Sequence, residues 1–534
     1  MPIVLVSYAI KILRIHYCSK ISIIDNRHYE IFLKHCRNIA FLTLLSACGG
    51  SSSSGGATPA TVSPPAVTQP TAPTAPPVST PTSFVGTILL GAPTANSIKL
   101  NVLAPNQGGT VSVVYGTVPG VYGRQSAQAA LTAGAPLPIT LDGLAGDTQY
   151  YYRLQYAGTG VGAQTQSNEY SFRTARPVGS TFSFTVQADS HLDENSDLNI
   201  YRATLANVLA DRSDFHLDLG DTFMTEKYSA PLTATAVAAM DQATVNSRYA
   251  YERANYGQIS HSIPLFLVNG NHDGELGWLS NGVNQSLATW TTQARQHYFL
   301  NPTPDGFYTG DSVPEPTVGL RASWYSWQWG DALFVVLDPY WNSTKASNSD
   351  GWNMTLGDRQ YQWLVSTLAN SRASYKFVFL HNLVGGLDGQ MRGGIEAAPY
   401  FEWGGRNLDG SNVFAQKRPT MSQPIHQLFV QNHVTAVFHG HDHLYARQVL
   451  DGVIYQEVPQ PSARNNSSGQ SLATDYHYTS GVIQSSSGHM RVTVSPSGVT
   501  ARYVRAWLPT DETAQRKNGE IADTWTATPF RSQP

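Results

Sequence analysis

The pattern of hydrophobic and polar positions changes along the chain, and each part predicts a different kind of structure. Between residues 83 and 176, short runs alternate apolar and polar side chains and are separated by Gly- and Pro-rich turns. This spacing predicts a small antiparallel β sandwich. From residue 180 to about 508, short apolar runs are separated by longer stretches of helical periodicity. Such runs fill sheets covered on both faces, so this part is expected to be a layered α/β sandwich.

The second region contains six apolar runs, which we predict to be buried strands: 182–188, 215–219, 265–268, 333–337, 377–380 and 435–438. Between them, residues 198–212 and 358–370 have the spacing of amphipathic helices. Residues 509–534 follow as a C-terminal tail.

The region ahead of the β sandwich has the shape of an export signal followed by a tether. Basic Lys34 and Arg37 precede the apolar run 39–45, and residues 49–82 are almost entirely Gly, Ser, Thr, Ala and Pro. Residues 45–48 resemble a bacterial lipobox, which implies a lipid on Cys48. We therefore expect a lipoprotein signal peptide at 34–47 and a lipidated linker at 48–82. The exported protein would face the periplasm or the cell exterior, with the lipid anchor as its membrane contact.

Residues 1–33 precede the predicted signal peptide, and we interpret them as an extension. We expect the protein to start at Leu33. The alternative is a membrane segment at residues 3–15. That segment is too short to span a bilayer and carries Lys11 and Arg14.

Composition excludes several other classes of protein. Of the 534 residues 13% are charged, and the net charge is −3, so the basic face of a nucleic-acid binder is not expected. The three cysteines are Cys18, Cys36 and Cys48. The globular part therefore has no disulfide, thiolate metal ligand or cysteine nucleophile.

Five polar motifs stand where predicted strands end, and they are Asp189-Ser190-His191, Gly220-Asp221, Gly270-Asn271-His272-Asp273, His381 and Gly440-His441-Asp442-His443. Strand ends converge on one rim of such a sheet, so these residues can meet in one crevice. Each motif alone has a plainer explanation, such as a turn or a helix cap. As an ordered set they offer His, Asp and Asn donors for two cations that share one carboxylate.

With these motifs, residues 180–508 resemble the calcineurin-like metallophosphoesterases. Leu144, Thr148 and Tyr150 in the preceding region resemble the tyrosine-corner segment of fibronectin type III domains. This order of modules resembles that of purple acid phosphatases and their bacterial relatives. The resemblance implies a four-layer α/β/β/α sandwich preceded by a fibronectin III-like sandwich at 83–176.

The family pattern also implies a set of site residues. One metal would be held by Asp189, His191, Asp221 and His443, and the second by Asp221, Asn271, His381 and His441. A water shared by the two ions would lose a proton and attack phosphorus in line. The resemblance implies that His272 donates a proton to the leaving oxygen, and Asp273 could orient His272.

Two positions depart from the purple acid phosphatase pattern. Met224 stands where those enzymes carry a tyrosine ligand, and His191 stands where they generally have glycine. A purple iron–phenolate centre is therefore not expected. The cofactors implied are two divalent or trivalent ions of Mn, Zn or Fe.

The segment 385–418 lies between two ligand motifs, and its Arg392 or Arg406 could grip a substrate phosphate. Structural ion pairs explain these arginines equally well. We predict an exported dinuclear phosphoesterase that hydrolyses small phosphate monoesters. A phosphodiesterase acting on nucleotides or lipid head groups is the alternative within this class, and a non-catalytic surface binding protein is the alternative outside it. The sequence does not define an oligomeric state.

Overall fold

The computed structural model describes residues 84–159, 164–224, 235–280, 285–344, 350–387, 391–464 and 468–530. The predicted signal peptide, Cys48 and the linker at 48–82 lie outside these ranges. No helix among the described residues is both long and apolar enough to cross a membrane.

Two antiparallel sheets form the first region, in keeping with its alternating pattern. Along its longest strand, buried and partly exposed side chains alternate for eight residues. Sheet A has the order β1-β2-β6, and sheet B has the order β4-β3-β7-β8 with β5 on β3 and β9 on β7. Their bounds are β1 Thr87–Gly91, β2 Ser97–Leu103, β3 Gly109–Gly116, β4 Arg124–Gln125, β5 Ala129–Leu131, β6 Leu137–Asp142, β7 Gln149–Gly158, β8 Thr165–Gln166 and β9 Tyr170–Arg173.

One buried apolar cluster contains residues of both small sheets, so the two sheets pack face to face. At the corner before β7, the Ala145 N–H donates a hydrogen bond to the Tyr150 hydroxyl at 2.9 Å. This local contact lies within the segment that resembles a tyrosine corner.

Sheet C carries the first three motifs. Its order is β12-β11-β10-β21-β22-β23, with β10, β11 and β12 parallel. The bounds are β10 Phe182–Gln187, β11 Phe215–Asp218, β12 Leu265–Leu267, β21 Gly488–Ser495, β22 Gly498–Arg505 and β23 Ile521–Ala527. The segment 509–534, predicted as a tail, thus contains the outermost strand of this sheet.

Sheet D carries the last two motifs. Its order is β13-β14-β15-β16-β17-β19-β18-β20, with β15, β16, β17 and β19 parallel. The bounds are β13 Thr309–Gly310, β14 Tyr325–Trp329, β15 Ala332–Val336, β16 Tyr375–Phe379, β17 Ala436–His439, β18 Leu444–Leu450, β19 Val453–Glu457 and β20 Val482–Ser485.

The described helices are α1 Leu198–Asp211, α2 Gln242–Tyr256, α3 Leu287–Tyr298, α4 Gly357–Asn370, α5 Phe401–Gly404, α6 Phe414–Lys417, α7 Ile425–Gln431 and α8 Gly469–Asp475. Three short 3₁₀ helices span Val237–Ala239, Gly277–Leu279 and Gly351–Asn353. The side chains of Asp197, Asp241 and Ser286 cap α1, α2 and α3 by accepting backbone N–H bonds.

Sheets C and D share the largest apolar core. Phe184 of sheet C meets Phe334 of sheet D edge-on, with ring centroids 5.1 Å apart. The opposite face of sheet D packs on α4 and α7. Leu265 and Leu267 of sheet C pack with residues of α1, α2 and α3. The predicted mixed α/β architecture with several sheets is therefore confirmed.

The first region is joined to the second through a buried arginine. The Arg253 guanidinium in α2 donates to the Asn101 carbonyl at 2.6 Å and to the Thr87 hydroxyl at 2.9 Å. The hydroxyl of Tyr152 also donates to the His261 carbonyl at 2.7 Å. The region that bears no motif is thus bonded directly to helix α2 and to the loop before β12.

Candidate metal centre

All five motifs follow strands whose carboxyl ends meet at one rim. β10, β11 and β12 are neighbours and run parallel, as do β16 and β17. The Asp189 N–H donates to the Gly220 carbonyl at 2.9 Å, and the His191 N–H donates to the Asp221 carbonyl at 3.1 Å. The rim predicted from the strand ends is therefore formed by loops that bond to one another.

Glycines let these loops approach closely. Gly220 has a φ of 97°, and a Cβ atom there would lie 2.3 Å from the Gly270 nitrogen. A Cβ on Gly440 would lie 2.5 Å from the Asp189 carboxylate. Any larger residue at either position would push two ligand-bearing loops apart.

Left-handed backbone is concentrated among the predicted metal ligands. It is adopted by Asp189 (φ 62°), His191 (54°), Asp221 (54°), His441 (83°) and His443 (57°). Non-glycine residues in this region carry strain of about 1–3 kcal/mol each, which is typical of functional sites. The surrounding contacts must therefore impose these conformations.

The predicted ligands gather into two clusters, here called cluster one (Asp189, His191, His443) and cluster two (Asp221, His381, His441). Within each cluster the donor atoms lie within 4.8 Å of one another. The Asp189 Oδ1 atom is 3.7 Å from His191 Nε2 and 3.6 Å from His443 Nε2. Donors held about 2.0–2.2 Å from a common ion have separations of this size.

Asp221 lies between the clusters, as the predicted bridge requires. Its Oδ2 atom is 3.1 Å from His381 Nε2 and 3.7 Å from His191 Nε2. Its Oδ1 atom accepts the N–H of His272 at 2.8 Å. The carboxylate thus faces both clusters with one oxygen and is anchored by the other.

Several buried donor atoms fit bound cations. Among the described residues, Asp189 Oδ1, His191 Nε2, Asn271 Oδ1 and His381 Nε2 are buried and have no hydrogen-bond partner. Burying a polar atom without a partner costs free energy unless an ion or another ligand satisfies it. The donor set of His, Asp and Asn suits Mn, Zn or Fe, as predicted. The assignment of individual ligands stays a prediction.

The two buried carboxylates and the neighbouring histidines shift one another's pKa values. Although burial opposes the shift, His381 and neighbouring histidines hold the pKa of Asp189 below its ordinary value and that of Asp221 well below it. Burial lowers the pKa of His191, but Asp189 and Asp193 outweigh it and raise it to about 10. The two carboxylates therefore stay ionised and attract cations.

Asp273, predicted as a residue that could orient His272, also joins two loops of the centre. Its carboxylate accepts backbone N–H bonds from Asp221, Thr222, Phe223 and Gly270 at 2.7–3.1 Å. Asp221, Thr222 and Phe223 lie in or directly after the second motif, and Gly270 begins the third. The tight turn after β11 points its amides at this carboxylate. Asp273 thus holds together the loops that carry Asp221 and Asn271, and its predicted contact with His272 stays a prediction.

His272 itself lies at the edge of the centre, with a partly exposed side chain. Its ring centroid is 5.8 Å from that of His191. This position is compatible with the predicted proton donor. Met224, at the position of the missing tyrosine, is fully buried.

The two predicted substrate arginines have different surroundings. The Arg392 guanidinium donates to the Asp442 carboxylate at 2.8 Å and to the His441 carbonyl at 2.5 Å. Arg406 is exposed and forms backbone bridges to Tyr400 and Asn412. Within the described part of the chain, no hydrogen bond joins its side chain to a predicted ligand. The predicted contact of either arginine with a substrate phosphate stays a prediction.

Sequence reasoning missed several supporting residues. Asp193 Oδ2 lies 3.5 Å from His191 Nδ1, on the side of the ring away from cluster one. Asp218 accepts the Thr222 hydroxyl at 2.6 Å and the Gly220 N–H at 2.9 Å. Asp193 lies two residues after a ligand, and that spacing is the signal that could have found it.

Histidines predicted to be structural have ordinary partners outside the two clusters. They are His216 with Thr185, His261 with Tyr170, His426 with Tyr455 and His433 with Phe530. His439, predicted as a possible outer contact, lies 2.6 Å from Glu457 through its Nδ1 atom.

Comparison with known proteins points to the same class as the fold and the site. No protein-family model matches the chain. An acid phosphatase of Aspergillus ficuum is 24% identical over 267 residues, which cover 40% of this chain and 42% of that protein. The match thus spans less than half of the length of this relative.

Two solved structures share the fold over most of both chains. PhoD is 15% identical and covers 85% of this chain and 92% of its own, with a TM-score of 0.59. A purple acid phosphatase from yellow lupin (Lupinus luteus) seeds is 15% identical and covers 83% and 74%, with a TM-score of 0.52. These matches show that the chain shares its fold with PhoD and with a purple acid phosphatase.

Proposed function

We propose that this chain is an exported, dinuclear metal-dependent phosphoesterase that hydrolyses small phosphate monoesters. The observation that carries the proposal is the pair of clusters on one rim, with Asp221 facing both. The similarity to an acid phosphatase favours a monoester substrate. The proposal includes a four-layer α/β/β/α domain at 180–508, extended by β23, and a fibronectin III-like module at 83–176.

The proposed location at the membrane rests on the sequence. The signal-like segment 34–47, the lipobox and the tether would place the enzyme outside the cytoplasm, attached through a lipid on Cys48. Labelling of the full chain with a radioactive fatty acid tests this part. Loss of the label in Cys48→Ser is expected, and an unlabelled wild-type protein contradicts it.

The chain's own residues provide the framework of the reaction. Bound divalent ions supply Lewis acidity and a nucleophile at neutral pH. Asp221 holds the two clusters in register, since one of its oxygens is anchored on the His272 N–H. Because His272 lies beside Asn271 and is partly exposed, its imidazole can give a proton to the leaving oxygen. The buried histidines exclude water from the inner side of the centre.

The decisive experiment measures bound metal and hydrolysis in the same preparation. We expect about two ions per chain and faster hydrolysis of a nitrophenyl phosphate than of the bis-nitrophenyl diester. Asp221→Asn should lower activity more than about 100-fold, because changing contacts outside the ligand shell alone costs about 10- to 100-fold. Faster diester hydrolysis would favour the phosphodiesterase. A folded protein with neither metal nor activity would favour the surface binding protein.

A further inference from the structure

The loop that carries His441 and His443 is held by contacts to its main chain. Its residues with left-handed backbone are strained, and without contacts that hold them they would relax to other conformations. The His441 N–H donates to Asp189 Oδ2 at 2.8 Å, and the Asp442 N–H donates to Glu457 at 3.0 Å. The His443 carbonyl accepts the Ser486 hydroxyl at 2.9 Å. The His441 carbonyl accepts a hydrogen bond from Arg392.

Arg392 touches this loop at two points and is held from a third side. Its Nη2 atom donates to the His441 carbonyl at 2.5 Å, and its Nε atom donates to Asp442 at 2.8 Å. Its guanidinium lies 3.8 Å from the centroid of the Tyr476 ring. The other Asp442 oxygen accepts the Tyr478 hydroxyl at 2.8 Å. A planar guanidinium can make both hydrogen bonds and stack on Tyr476 at the same time, whereas an ammonium cannot.

The segment that presents Arg392, residues 391–396, is itself fixed in place. Glu396 accepts the Thr479 N–H at 2.9 Å and a Gln448 amide bond at 2.8 Å. A Cβ on Gly394 would lie 2.0 Å from Gln448 Oε1, so a side chain there would displace the Gln448 amide. These contacts hold residues 391–396 in place, so Arg392 reaches the His441–His443 loop from a fixed segment.

We propose that Arg392 is a positioning residue that sets the geometry of both metal positions through the His441–His443 loop. The inference deepens the proposed function and depends on it. His443 belongs to cluster one and His441 to cluster two, so one guanidinium acts on both. With a side chain only 15% exposed, Arg392 is directed at the loop and not at solvent. This role replaces the predicted grip on substrate phosphate.

Metal titration separates positioning from substrate binding, because it needs no substrate. Wild type, Arg392→Lys and Arg392→Met would be stripped with a chelator and titrated with Mn²⁺ by calorimetry, and then assayed for KM and kcat. We expect Mn²⁺ affinity to fall about 10- to 100-fold at both positions. With saturating Mn²⁺, the Lys variant should recover kcat, and its KM should stay within about twofold of wild type.

Arg418→Lys is the matched control, because Arg418 lies in the same inter-motif segment and is 14% exposed. It bonds to Glu402, and its guanidinium lies 5.3 Å from the Trp352 ring centroid. Among the described residues, no hydrogen bond joins it to the His441–His443 loop. Its Mn²⁺ affinity should equal that of wild type.

Unchanged Mn²⁺ affinity with a raised KM in the Arg392 variants would overturn the inference and assign Arg392 to the substrate. An equal loss of affinity in Arg418→Lys would also overturn it, as an effect of general destabilisation. If wild type binds no metal, the proposed function fails as well. The two failures are therefore distinguishable.

Discussion

Cluster one and cluster two contain the same donors, one carboxylate and two imidazoles, but their surroundings differ. In cluster two the side chains of Asp221 and His381 are at most 1% exposed. In cluster one the His443 side chain is 31% exposed, although Asp189 is fully buried. A buried site exchanges ligands slowly, and an open one admits water and substrate. We therefore expect cluster one to release its ion first and to face the incoming ester.

The largest difference in metal binding between the clusters is expected when one imidazole is removed from each. His381→Asn removes a fully buried ligand that is also anchored on the Leu219 carbonyl at 3.0 Å. We expect it to weaken metal binding at cluster two by more than about 100-fold, because contacts beyond the ligands alone account for 10- to 100-fold. His443→Asn should weaken metal binding at cluster one by a smaller factor, since water can replace an exposed ligand. Metal content after gel filtration measures both, and equal losses would contradict the comparison.

The buried ion pairs of Glu275 predict the next largest effect. Glu275 follows the third motif and is bonded to Arg295 at 2.5 Å and Arg321 at 2.8 Å. Breaking a buried pair costs about 3–5 kcal/mol, so Glu275→Gln should lower the free energy of unfolding by that amount. Urea denaturation at neutral pH measures this change. A loss below about 1 kcal/mol would show that the pair is replaceable.

The same pair predicts a pH dependence. Burial raises the pKa of Glu275, but Arg295 and Arg321 outweigh it and lower the pKa from 4.5 to about 2. A carboxyl whose pKa is depressed in the folded state stabilises the protein above its unfolded pKa. This contribution should be lost as pH falls from about 4.5 towards 2. Glu275→Gln should lack this part of the acid dependence, which urea curves between these pH values would reveal.

Asp193 provides a smaller change confined to cluster one. It faces His191 from outside the cluster, and an outer carboxylate of this kind orients a metal-binding imidazole. Asp193→Asn should lower metal affinity at cluster one by about 10- to 100-fold and leave cluster two unchanged. Competition with a chelator, which resolves fast and slow release, distinguishes the two positions. A loss in the slow phase alone would contradict the assignment.

The smallest effect is expected at Arg406. Because its side chain is exposed and has no described bond to the centre, Arg406→Ala should change kcat/KM by less than about twofold. The free energy of unfolding should stay within about 0.5 kcal/mol of wild type. Steady-state assays with a nitrophenyl phosphate measure the rate. A tenfold rise in KM would restore Arg406 as a substrate residue.

The residues of the two clusters could be singled out from sequence because each lies in a local pattern, a polar motif directly after an apolar run. The run predicted at 377–380, for example, corresponds to β16 at Tyr375–Phe379, and His381 follows it. The two-cluster arrangement then follows from the parallel order of the strands.

Supporting contacts could not be predicted in the same way, because they depend on turn geometry and on distant segments. Arg392 meets Asp442 across 50 positions of sequence. Asp273 collects amides that point inward only when the turn after β11 takes its left-handed shape at Asp221. Neither contact produces a periodic pattern in the sequence. Long-range polar contacts are therefore the part of the structure that sequence patterns did not predict.

Strand β23 has a practical consequence for handling the protein. It forms the outer strand of sheet C, and its Trp525 donates to the Gln456 side chain of sheet D at 2.8 Å. A fragment cut at residue 508, where the sequence pattern places the end of the domain, would lose this strand and its tryptophan. β22 would become an unpaired edge, which is a template for aggregation. Recombinant fragments should therefore extend past Ala527 if they are to remain monodisperse.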